Sequence, residues 1–152
     1  MNCYDSPSSK GKPVLKDPEF RKAVNWAVDR QKVVDVAYQG YATLGSTLVV
    51  PYSKYHWEPP AESTFAFDPA KAKDILDAAG YKDVNGDGYR ETRDGKKLSL
   101  RFLATTDSTP NQTAGKLIVG WLKEIGIKLN FQVVDSGTVI ADPYAHTGDT
   151  YT

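Results

Sequence analysis

Asp83, Asn85, Asp87, Tyr89, Glu91 and Asp94 place oxygen donors at the spacing of a calcium loop. With Asp83 at position 1, side-chain oxygens fall at positions 3, 5, 9 and 12, and Tyr89 offers its backbone carbonyl at position 7. Alternate positions let hard oxygens converge on one ion, and Gly88 permits the sharp bend between them. Two features depart from the pattern. Asp94 has a shorter arm than the usual Glu, and a hairpin rather than a helix follows. A bound Ca2+ is therefore expected to be structural, tying a helix to a hairpin. The alternative is a solvated loop in which Asp94-Gly95 serves only the turn. No cofactor is required.

A second candidate is the loop Thr105-Thr106-Asp107-Ser108-Thr109. It leaves a predicted strand and runs straight into a predicted helix. In open α/β sheets ligands gather beyond the carboxyl ends of parallel strands. The hydroxyls and free N–H groups here suit a carboxylate, helped by the helix dipole. Against that, the loop has no Arg or Lys before Gln112, and Ser108 or Thr109 can act simply as the helix cap.

Enzyme chemistry has little to stand on. His56 and His146 are the histidines and Cys3 is the single cysteine. No nucleophile elbow, zinc-protease motif or phosphate loop is present. His56, beside Trp57, is expected to be a hydrogen-bonded surface histidine.

The elements that must position these residues are legible from period and punctuation. Asp17 caps a helix with Pro18 at its first position, where the missing N–H costs nothing. Phe20, Ala23, Val24, Ala27 and Val28 make its apolar stripe. Asp29 caps a second helix with Val33, Val34, Ala37 and Tyr38 inward, and Gly40 stops it. Residues 41–67 show no period but hold Tyr41, Tyr52, Tyr55, His56, Trp57, Phe65 and Phe67. Leu48-Val49-Val50 reads as a short strand within this segment.

Asp68-Pro69 opens a third helix, striped by Ala72, Ile75, Leu76 and Ala79, with Gly80 as its stop. Tyr89–Thr92 and Lys96–Ala104 read as strands joined at Asp94-Gly95. A fourth helix starts at Thr109-Pro110 and buries Ala114, Leu117, Ile118, Trp121, Leu122 and Ile125. Ile127, Leu129, Phe131 and Val133 alternate as a last strand. Strand, helix and strand with short links imply a parallel crossover. Residues 1–16 and 141–152 are expected to be irregular ends of one domain spanning 1–152.

Composition bounds the rest. The 152 residues are 40% hydrophobic and 25% charged, with 19 basic against 19 acidic residues. A neutral chain without a basic block offers no footprint for nucleic acid. No apolar run approaches the ~20 residues that span a bilayer. A lone cysteine excludes an internal disulfide without deciding the compartment. Residue 1 is not expected to follow a signal peptide directly, since Met1-Asn2-Cys3 lacks the apolar stretch of a lipidated leader.

The wording of the chain is itself a signal. Asp17-Pro18, Arg21, Ala23, Ala27-Val28-Asp29-Arg30, Val33-Val34-Asp35, Tyr38 and Gly40 are followed by Gly45-Ser46-Thr47 and Tyr55-His56-Trp57-Glu58-Pro59-Pro60. Phe67-Asp68-Pro69-Ala70-Lys71-Ala72, Leu76, Ala79-Gly80-Tyr81 and Gly120-Trp121-Leu122-Lys123-Glu124-Ile125-Gly126-Ile127 continue the series. In this order, over roughly residues 2–140, the chain resembles the carboxy-terminal lobe of family-5 extracellular solute-binding proteins. These are the oligopeptide- and dipeptide-binding components of bacterial ABC importers.

The resemblance implies an α/β fold: one lobe of a periplasmic-binding-protein-like architecture, with a mixed sheet, packed helices and a parallel βαβ unit. It implies binding of a peptide or other small solute for import, no enzymatic activity, and an extracytoplasmic parent that meets a membrane permease. It places Thr105–Thr109 beside the ligand and the segment Gly45–Trp57 over the cleft. The plain alternative for Tyr52, Tyr55 and Trp57 is local core, and it is the preferred one. Members trap ligand between two lobes, so an excised lobe is expected to hold it weakly or not at all. Such a lobe would leave an apolar face free for a homodimer. The other expectation, of a different class, is a calcium-stabilised structural module.

Overall fold

The computed structural model describes residues 12–61 and 64–144, and the side chains of residues 141–144 are not described. Cys3 and His146 lie outside these residues. A 3-10 turn, Pro13–Lys16, leads into α1 (Pro18–Ala27) and α2 (Arg30–Ala37). A long connection reaches α3 (Pro69–Ala78). Then come β1 (Ser99–Thr105), α4 (Thr109–Glu124), β2 (Lys128–Val134) and α5 (Ser136–Tyr144).

The helices start where side chains satisfy their free N–H groups. Asp17 accepts from Glu19, Asp29 from Lys32 and Asp68 from Lys71. They stop at Gly40, Gly80 and Gly126, all at positive φ. Phe20, Ala23 and Ala27 of α1 are buried with Ala72 and Leu76 of α3, with Tyr81, Leu98 and Leu100, and with Leu122, Ile125 and Ile127 around the end of α4. Each fully buried large side chain, such as Phe20 or Leu76, contributes about 1.5–3 kcal/mol of transfer free energy.

Tyr81 fastens this core from within. Its ring lies 5.5 Å from that of Phe20, and its hydroxyl donates to Asp17 over 2.6 Å. Arg93 completes the group, 2.5 Å from the same Asp17 oxygen and stacked over the Tyr81 ring. Burial pushes the Asp17 carboxyl up. The hydrogen bonds from Tyr81 and Glu19 and the Arg93 charge outweigh it and hold the group below the usual carboxylate range. Burial, and then Asp17, push the Tyr81 phenol far above its ordinary value.

Strands β1 and β2 pair in parallel, from Ser99 opposite Lys128 to Thr105 opposite Val134, with α4 as the crossover. The helix approaches the sheet closely at Gly115, which is buried. A Cβ there would sit 2.6 Å from Phe131 Cε2 and 2.7 Å from its Cζ.

Several expectations are corrected. Leu48-Val49-Val50 forms no strand, and Leu48 is fully exposed; no segment among the described residues offers it a ladder. Tyr89–Thr92 is no strand either; the hairpin reduces to one antiparallel bridge, Glu91 with Lys97, around the Thr92–Lys96 turn. Among the described residues the sheet is thus two-stranded and parallel rather than mixed. At the ends, residues 13–16 form the 3-10 turn and α5 reaches Tyr144, where irregular chain was expected.

Gly115→Ala should destabilise the fold. Better helix propensity returns about 1 kcal/mol, against about 1–3 kcal/mol for overpacking on Phe131. A lower urea midpoint at unchanged m-value is the expected result.

Candidate functional site

Parallel pairing puts the carboxyl ends of β1 and β2 side by side, and the loops that leave them meet. The Thr106 N–H donates to the Val134 carbonyl over 2.9 Å, carrying the ladder one step past the strands. Ser108 caps α4, its hydroxyl accepting from Asn111 N–H at 3.4 Å. Gln112 reaches back and donates to the carbonyls of Thr105 and Thr106, at 3.0 and 3.2 Å. The second loop enters through Ser136, whose hydroxyl donates to the Asp107 carboxylate. From a third side the Tyr38 hydroxyl, at the end of α2, donates to Asn111 Oδ1 at 3.1 Å.

Thr105, Thr106, Asp107, Ser108 and Thr109 thus stand at one corner, joined by Tyr38, Asn111, Gln112, Asp135 and Ser136. Hydrogen bonds from Ser136 and Thr105 hold the Asp107 carboxyl below the usual range, and those from Thr138 do the same for Asp135. Both are ionised at neutral pH. No Lys or Arg occurs between Arg101 and Lys116 or after Lys128. The corner therefore offers hydroxyls, amides and carboxylates, which suit the amides and amino groups of a solute better than its carboxylate. Asp135 and Ser136 were findable from the sequence. They follow β2 as Thr106 and Asp107 follow β1, and the parallel register sets the two turns level.

The acidic loop is separate. The carboxylates of Asp83, Asp87 and Glu91 bring one oxygen each within 4.8 Å of one another. Asp83 accepts from the N–H groups of Gly86 and Gly88, and Asn85 from that of Asp87. Glu91 is only 6% exposed and accepts from the Val84 N–H at 2.7 Å and from the Asn85 amide at 2.6 Å. Tyr89 N–H donates to Asp87 at 2.9 Å. Asp94 is not brought to this group. Its carboxylate is bonded to Lys96 and Thr92, which draw its pKa down to about 2. Glu91, nine positions in, supplies the buried carboxylate.

The segment 41–58 corrects the core expectation for Tyr52, Tyr55 and Trp57. Tyr41 is 92% exposed, Tyr52 89%, Tyr55 76% and Trp57 63%. Periodicity cannot show this, because aromatic residues in an aperiodic segment look the same whether they pack inward or outward. His56 does sit in hydrogen bonds, to Val49 and Glu58.

Comparison with known proteins shows what the chain is similar to. The model of bacterial extracellular solute-binding proteins, family 5 Middle, matches residues 1–152. The oligopeptide-binding protein AppA of Bacillus subtilis is 30% identical over 130 residues, 84% of this chain and 23% of AppA. The glutathione-binding protein GsiB of Salmonella choleraesuis is 30% identical over 146 residues, 93% of this chain and 24% of GsiB. The structure of AppA with a nonapeptide superposes with a TM-score of 0.80 at 27% identity, covering 86% of this chain and 26% of AppA. A periplasmic oligopeptide-binding protein of Thermotoga maritima gives 0.75 at 32% identity, with 86% and 25% covered, and is also known bound to mannohexaose. This chain spans about a quarter of the length of these relatives.

Glu91→Ala should destabilise the chain by about 1–3 kcal/mol, since it leaves the Val84 N–H and the Asn85 amide without their acceptor. Thermal unfolding without added metal measures it; no change would mean that water replaces the carboxylate at no cost.

Proposed function

The chain belongs to the bacterial extracellular solute-binding proteins of family 5, and on that premise we propose that it forms part of one lobe of a receptor that captures a peptide or other small solute for ABC-type import. The observation that carries this reading is the corner at the carboxyl ends of β1 and β2. There Thr105–Thr109, Tyr38, Asn111 and Ser136 gather polar groups on a rigid scaffold. The exposed rings of Tyr52, Tyr55 and Trp57 provide a second surface for the rest of the receptor or its ligand. The whole protein works outside the cytoplasm and delivers its solute to a membrane permease. It binds no nucleic acid and catalyses no reaction. No helix among the described residues is long and apolar enough to cross a membrane. By itself the chain binds solute weakly, because a ligand held between two lobes loses the contacts of the missing one. Its exposed rings favour a homodimer.

Isothermal calorimetry with di- to pentapeptides is the test. The isolated chain should bind no tighter than about 1 mM, whereas a two-lobed protein containing it should bind at about 1 μM or better. Micromolar binding by the isolated chain would contradict the reading.

The acidic loop supports a second, compatible role for a calcium ion as a brace. The convergence of Asp83, Asp87 and Glu91 favours it. The asparagine side chain and the Tyr89 carbonyl complete a hard-oxygen set that suits Ca2+. Excess Ca2+ should raise the melting temperature over that in chelator by several degrees, as for any ligand that binds the folded state alone. Asp83→Asn should remove the shift and Asp94→Asn should keep it. An unchanged melting temperature would dismiss the brace.

A further inference from the structure

Segment 41–58 has no regular secondary structure, yet it is folded back on itself around one side chain. His56 has a side-chain exposure of 13%. Its Nδ1 lies 2.8 Å from the Val49 carbonyl oxygen, and its Nε2 lies 2.8 Å from Glu58 Oε2. The same Glu58 oxygen accepts from the Ser46 hydroxyl at 2.9 Å. Both ring nitrogens therefore face acceptors. A neutral imidazole has one N–H and can satisfy only one of them; the imidazolium satisfies both.

From this geometry we propose that His56 is a pH-dependent clasp: as the imidazolium it ties Val49 and Glu58 together and holds the ring-bearing segment in place, and on losing its proton it lets Val49 go. The carboxylate keeps the remaining proton on Nε2, so the lone pair is left at Nδ1, facing the Val49 carbonyl at a distance that two acceptors do not tolerate. The Thr47 hydroxyl is placed to take over. It lies 3.5 Å from Nδ1 and now donates to the Val49 carbonyl at 3.0 Å. Turning it toward the ring would rearrange residues 47–50.

The charged surroundings are few. Among the described residues, Glu58 is the charged group that faces the ring. Arg30 of α2 lines the same cavity of about 570 Å3 as Glu58 and Ser46, and its guanidinium is bonded to Asn25 and to the Phe65 carbonyl. The Lys54 ammonium sits over the Tyr55 ring. Consistent with the geometry, the hydrogen bonds to Glu58 and Val49 raise the His56 pKa above 6.5, and that from His56 lowers the Glu58 pKa below 4.5.

The sign follows from linkage. The raised histidine contributes fully below 6.5 and its share fades as pH climbs through the raised value. The lowered carboxylate contributes fully above 4.5 and its share fades as pH falls through the lowered value. The clasp is therefore strongest in mildly acidic solution and loosens toward alkaline pH. Through Glu58 and Ser46 it also sets one wall of the Arg30 cavity.

The experiment is an NMR titration of the 152-residue chain, following the imidazole Cε1 signals and the backbone amides. His146 gives a second imidazole signal, and the His56→Gln variant assigns the first. The His56 midpoint is expected above 6.5, with the amides of Thr47, Val49 and Val50 moving at that midpoint. Glu58→Gln should bring the midpoint down, and His56→Gln should abolish the amide movement. A His56 midpoint at or below 6.5 would overturn the proposal. So would still amides while the ring titrates, or the same amide movement in His56→Gln.

Discussion

The fold depends on what happens to one carboxylate, Asp17. It caps α1, accepts the hydroxyl of the buried Tyr81 just beyond α3, and meets Arg93 of the hairpin turn. A half-buried carboxylate is tolerated only when its oxygens are fully engaged, since an unpaired buried charge is strongly unfavourable. Here the engagement comes from three different parts of the chain. Tyr81, in turn, lies against Phe20, so the polar group and the apolar core are fixed together. Arg90 adds the other half of the frame. Its backbone N–H bonds to the Gly126 carbonyl, and its side chain bonds to Ile125, Asp77 and Tyr81, which ties the ends of α3 and α4 to the acidic loop. The βαβ unit is thereby held to the helical pair, and the strand ends that gather Thr105–Thr109 and Ser136 acquire a fixed position.

Much of this was legible in the sequence, for physical reasons. Asp-Pro pairs mark helix starts because the first N–H needs no partner and the next ones need an acceptor, and α1 and α3 begin at Pro18 and Pro69. Glycine stops follow from backbone sterics. The alternation from Ile127 to Val133 and the stripe on α4 were enough to place a parallel crossover. What stayed hidden was set by tertiary context. Tyr89–Thr92 has the composition of a strand, but the acidic loop before it holds Glu91 inward and leaves a single bridge. Leu48–Val50 has β propensity and no partner among the described residues. The need for Gly115 inside α4 is set by the approach of Phe131, which no local pattern shows.

The candidate site divides in the same way. The loop after β1 was readable because strand ends and helix starts are local signals. Tyr38 and Asn111 were not, because their contact joins residues 73 positions apart. For the acidic loop, spacing identified Asp83, Asp87 and Glu91 but not the fate of Asp94, which a nearby lysine and threonine claim for the turn. The tyrosine and tryptophan rings of segment 41–58 are exposed rather than core. The chain covers about a quarter of the length of these relatives.

The central claim is that the helical pair and the βαβ unit form one cooperative body, with segment 41–58 outside it. Native-state hydrogen exchange on the 152-residue chain measures this directly. The account predicts that amides of α1, α3, β1 and β2 open together with the same free energy, while those of residues 41–58 exchange far faster. Separate opening of α1 and α3 from the strands, or protection of residues 41–58 equal to that of the core, would contradict it.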